Sequence, residues 1–178
     1  MSLQNTDTPT ASIEPCWRLL AIGLDPDKTA PDLYGAIHEG ENDAPLMADG
    51  RIVFFTDPGR APELIRTYGG SWIHDTMEVT KPTLWCDVAQ ALHHLSAGGI
   101  DTSASVVDAV NVLLDLVKAS GTKMVDSRRR ALHAIADYCT TSKDLTKYLE
   151  EVGDHSSREL VDAVLWCVGA VVVKARIL

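Results

Sequence analysis

At 178 residues the chain is long enough to bury a core without disulfide or metal staples. Its 46% hydrophobic and 23% charged residues suit a globular protein, not a disordered or fibrous one. The formal charge of −9 lies in the first half: 14 acidic against 6 basic residues over 1–98, then 11 against 10 over 99–178. A field of that sign repels nucleic-acid phosphates and anionic lipid, and leaves a basic protein partner or simple solubility as its use.

Residues 1–15 are polar and lack the apolar segment of a signal peptide, so they read as a flexible tail on a cytoplasmic protein. Cys16, Cys86, Cys139 and Cys167 form no C-x-x-C pair. The last three fall among apolar neighbours in expected helices and read as small buried hydrophobes.

A small antiparallel sheet is expected over residues 16–80. WRLLAIGL (17–24) is an apolar run closed by Asp25-Pro26-Asp27, and LYGAIH (33–38) is a second strand weakened by Gly35. Asp49-Gly50 suits a two-residue hairpin turn, whose central positions need positive φ. The following RIVFF (51–55) is expected to be the best-paired strand. Asp57-Pro58 then opens a helix that ends at Gly69-Gly70, with Leu64 and Ile65 facing the sheet. Residues 72–79 are ambiguous, with a strand over 76–79 as one reading, and 69–82 is the candidate linker.

The phrase DGRIVFFTDPGRAPELI (49–65) resembles the strand–turn–helix pieces of small bacterial adaptor and secretion-enhancer domains. That likeness covers a short part of the chain and carries no catalytic residue.

Residues 81–178 read as a bundle of about five helices. Lys81-Pro82-Thr83 opens the first and Gly98-Gly99 closes it. Asp101-Thr102-Ser103 opens the second, with Val106, Val107, Val110, Leu113, Leu114 and Val117 as its core-facing stripe. Helices over 126–139, 142–152 and 156 to near the end follow. Gly153 is read as a C-cap, and Ser156 with Glu159 as a capping box. From Leu160 to Val173 the last helix is apolar nearly all round, interrupted by Asp162 and Gly169. Such a helix is buried on nearly all sides, at the bundle centre or against a second copy of the chain. The fold class is therefore α+β, as two regions or one compact domain, with a homodimer through the last helix expected.

No nucleotide-binding glycine motif, nucleophile elbow or zinc-protease helix occurs. The acidic loop bearing Glu39, Glu41 and Asp43 reads as a recognition edge for a basic partner, and lacks the spacing of a calcium loop. Arg128, Arg129 and Arg130 stand in the first turn of a helix, where positive charge opposes the dipole, and are the candidate ligands for an anion. Their competing role is to pair with the acidic first half. His133 and Asp137, at i and i+4, are the candidate acid–base pair of a small hydrolase or metal enzyme. His93-His94 project about 100° apart on a helix and suit one metal ion poorly. Asp108, Asn111 and Asp115 form a polar row on one helix face, and Trp72, Trp85 and Trp166 read as core anchors. The preferred reading is a non-enzymatic interaction or regulatory protein with an acidic N-terminal surface, no cofactor and no metal. A sensor of small anionic ligands and the His133/Asp137 enzyme are the alternatives.

Overall fold

A computed structural model describes residues 16–40, 43–78 and 81–178. The class is α+β: a mixed sheet of N-terminal strands is followed by five helical segments, four of them in elements of the second half. The flexible-tail expectation for 1–15 and the partner-binding expectation for Glu41 lie outside the described residues.

Strand β1 (Cys16–Gly23) organises the sheet. It pairs antiparallel with β2 (Leu33–Glu39) over seven residue pairs. Its other edge receives β6 (Thr76–Glu78) and β7 (Leu84–Asp87), both parallel. The segment β3 (Ala44–Pro45) continues the ladder on β2, and β4 (Met47–Ala48) forms a hairpin with β5 (Arg51–Phe55). Asp49 and Gly50 hold φ of 52° and 72°, the turn read from the sequence. The sheet is thus antiparallel at its centre and parallel at its edges, which corrects the all-antiparallel expectation. RIVFF is not the best-paired strand either; β1 is, with seven residue pairs on β2 and seven more on β6 and β7, where β5 has two on β2, two on β4 and three on β8.

Two cores lie on opposite faces of that sheet. Leu20, Ile22, Ile37, Ile52 and Phe54 pack on the helices of the second half. Trp17, Leu19, Val53 and Phe55 pack on α1 (Ala61–Tyr68) through Leu64 and Ile65. A strand buried on both faces reads as a continuous apolar run, as WRLLAIGL does. Asp57 accepts a hydrogen bond from the Gly59 N–H and opens a single 3₁₀ turn, Pro58–Arg60, ahead of α1. The stretch expected as a linker supplies β6 and the Trp72 carbonyl, which accepts the Trp17 indole N–H at 2.9 Å.

Three helix boundaries differ from expectation. Residues 84–87 are strand, and α2 (Val88–Ala97) starts four residues later, because the Asp87 carboxylate accepts the Gln90 N–H. Cys86 therefore sits in a strand, not a helix. Helix α3 (Ser103–Ala119) and α4 (Asp126–Thr141) follow as read, with Val106, Val110, Leu113 and Val117 buried. The element α5 (Leu145–Val173) is two helices meeting at Gly153, whose φ of 77° and ψ of 167° end the first one, as its reading as a C-cap expects; the difference lies in where the second begins. The chain is helical again immediately after Gly153, so Ser156 lies inside the helix and caps nothing. Ser157 instead donates its hydroxyl to the Gly153 carbonyl at 3.1 Å. Finally, residues after Val173 form β8 (Ala175–Ile177), parallel to β5, and the Leu178 N–H donates to the Phe54 carbonyl. Among the described residues no helix is long and apolar enough to cross a membrane.

Candidate functional site: an acidic cleft beside Trp85

The two acidic features read separately from the sequence meet in space. A cleft of about 280 Å³ lies between the sheet and α3. Strand β2 supplies Glu39, the segment after it supplies Asp43, and α3 supplies Asp108, Asn111 and Asp115. Those three α3 residues share a face because they stand at i, i+3 and i+7. Strand β7 contributes Leu84 and Trp85, with Val112 and Ile37 behind them.

Each carboxylate has a distinct setting. Glu39 is held 2.7 Å from Arg18 Nε across the β1–β2 ladder. Asp43 accepts the Gly40 N–H at 3.3 Å, which closes its loop. Partial burial pushes the Asp108 carboxyl above its ordinary value. Asp115 is pushed up by burial first and by the Asp43 charge second, against an opposing pull from Lys118. Asp108 and Asp115 therefore resist ionisation, and a cation beside them relieves that cost. Among the described residues no three His, Cys, Asp or Glu side chains converge closely enough to hold a metal ion. The carboxylates are spread along a cleft, an arrangement that suits an extended cationic group. Trp85, read as a core anchor, is 48% exposed and presents an aromatic ring beside them. Its exposure follows from strand alternation: Cys86 points inward beneath α3, so Trp85 points out.

The other sequence candidates scatter. Arg128 lies 5.4 Å over the Trp166 ring, Arg129 pairs with Asp126 at 2.6 Å, and Arg130 is exposed. They do not converge as a trio. Trp166 is partly buried beneath its arginine, in keeping with an anchoring role. His133 and Asp137 are both exposed on α4, and no hydrogen bond joins them. Cys139, next along, is buried on another face with its thiol pushed up by burial. Burial also raises Cys86 to about 12 and Cys167 to about 11, the reverse of an activated nucleophile. His93 and His94 have ring centroids 5.6 Å apart, and His94 is shifted down by burial and by its neighbour.

One buried polar group was not singled out from the sequence. His38 is 4% exposed, with Nε2 2.6 Å from Asp75 Oδ2. Its ring stacks on Trp72 at 4.4 Å and meets Trp17 edge-on at 5.2 Å. Only the pairing of β6 beside β1 brings 72–75 to 38, so no sequence spacing signals it.

The outward face of α5 is the remaining unusual surface. Leu165, Val172 and Val173 are 50%, 64% and 73% exposed. A nearly all-apolar cavity of about 210 Å³ beside Val172 is floored by Phe54, Leu116 and Val171.

No protein-family model matches this chain, and no curated protein matches it. Among solved structures it is similar to the crystal structure of the SatS C-terminal domain in complex with bromine. The TM-score is 0.53 at 14% identity, over 91% of this chain and 94% of that one. At that identity the likeness shows a shared fold alone.

Proposed function

We propose that this protein is a non-enzymatic interaction module that receives a basic segment of a protein partner in the acidic cleft. The observation that carries this reading is the convergence of Glu39, Asp43, Asp108 and Asp115 from three separate parts of the chain around the exposed Trp85. Carboxylates steer and orient a cation, and an indole face adds cation–π attraction of about 0.5–2 kcal/mol. An arginine-rich peptide is the probe. Its affinity is expected to fall about tenfold in Asp43→Asn/Asp108→Asn/Asp115→Asn, at roughly 0.5 kcal/mol for each exposed charge. A smaller loss is expected in Trp85→Ala. Equal affinity of wild type and triple variant for the peptide rejects the reading.

The exposed stripe on α5 favours a second element of the same reading, a homodimer through the last helix. Light scattering of wild type beside Val172→Glu tests it. A dimer that becomes a folded monomer supports the pairing, and a wild-type monomer at the same concentration rejects it. Because Val172 is 64% exposed, the substitution leaves the monomer folded.

A further inference from the structure

A second concavity, opposite in sign to the acidic cleft and independent of the reading above, opens between the end of α3 and the start of α4. Its volume is about 390 Å³, within the range of small-molecule sites. Lys118, Lys123 and Arg129 stand around it, and Leu114, Val117 and Met124 line its interior. On a chain of net charge −9, three cations bordering one hollow call for a physical reason.

Lys118 and Lys123 enter no salt bridge among the described residues; the acidic group that acts on Lys118 is Asp115, three residues before it. Arg129 is fixed by one guanidinium nitrogen on Asp126, which leaves its other N–H groups free to donate. The rim between the lysines is built, not loose. Gly121 turns the chain at a φ of 70°, and the Ser120 hydroxyl donates to the Val117 carbonyl while accepting the Thr122 N–H. Immediately beyond Lys123 and Met124, Val125 is the N-cap of α4 and offers no side chain to its first N–H groups, and the Asp126 carboxylate of that first turn is engaged by Arg129, so the positive end of the dipole stays open.

The geometry points to a binding site for an anionic amphiphile: a carboxylate or phosphate head on Lys118, Lys123 and Arg129, with an aliphatic body on Leu114, Val117 and Met124. The apolar interior sets this apart from a bare oxyanion site. Arg128, engaged by Trp166, takes no part.

Octanoate, octyl phosphate, inorganic phosphate and octanol are titrated by calorimetry, with the Gly121 and Thr122 amide resonances as a local reporter. Saturable binding of octanoate or octyl phosphate is expected, and the tighter of the two identifies the head group. Inorganic phosphate and octanol are each expected to bind at least about tenfold more weakly, since each keeps half of the recognition. Lys118→Gln/Lys123→Gln is expected to weaken the amphiphile about tenfold, while Lys143→Gln leaves it unchanged. Lys123→Gln alone, outside any helix, gives a smaller loss and serves if the double variant is misfolded. The proposal is overturned if neither amphiphile saturates the protein by about 10 mM. It is equally overturned if the lysine variants bind as wild type, or if octanol matches the amphiphiles.

Discussion

Two glycines of α5 make the same substitution a controlled experiment with opposite signs. Gly153 has φ 77° and ψ 167°, a backbone region that L residues enter only under strain. Gly169 lies within the regular helical run and is exposed. A Cβ at either position meets nothing within 4 Å, so packing does not enter and the backbone alone decides. Gly153→Ala is expected to cost about 1–3 kcal/mol of strain, reduced by roughly 0.5 kcal/mol through the stiffer unfolded chain. Gly169→Ala is expected to gain about 0.8–1 kcal/mol, the helix-propensity difference. At this chain length each kcal/mol moves Tm by about 2–4 °C. Urea denaturation of both variants at low micromolar concentration, where subunit pairing contributes least, reads both effects. The break at Gly153 is refuted if Gly153→Ala stabilises the protein as Gly169→Ala does, since a helix free to run straight through would gain from both.

Asp115 carries a pH signature. Its folded carboxyl titrates above the ordinary value near 3.8, so the folded state binds that proton more tightly than the unfolded chain. The ionised form costs stability in full above the folded pKa, and the cost fades as pH falls through it. Asp115→Asn is therefore expected to stabilise at pH 7 by about 0.5 kcal/mol, a figure discounted for solvent screening of an exposed charge. The advantage over wild type shrinks to nothing on acidification, and a Tm difference independent of pH contradicts the assignment. The cysteines make a further test. Cys16, the one partly exposed thiol, is expected to react first with iodoacetamide, and Cys86, Cys139 and Cys167 only on the timescale of unfolding. Rapid modification of Cys86 in the native protein contradicts its burial.

Local signals carried much of the fold. Asp49-Gly50, Asp57-Pro58, the Gly98 stop and the α3 stripe were all legible, because turn chemistry and helical period act over a few residues. The boundary at Asp87 was not. WCD scores equally as a helix start or an edge strand, and the vacant edge of β1 beside it decides for strand. Strand β8 was not legible for the same reason: its partner, β5, lies more than a hundred residues earlier.

Charge sign, class and the apolar character of α5 were properties of the residues themselves, since hydropathy and helical period need no partner to be read. Tertiary structure decided how those properties combine. Sheet pairing set β2 and β7 beside α3, and that placement alone joined Asp43 to Asp115 and turned Trp85 outward. It also separated Arg128 from Arg129 and Arg130, which the sequence shows as one cluster. Neighbours on a helix point in different directions: Arg128 found Trp166, Arg129 found Asp126, and Arg130 faces solvent. Sites are made by contacts between distant residues, and only the folded chain fixes which of those contacts form.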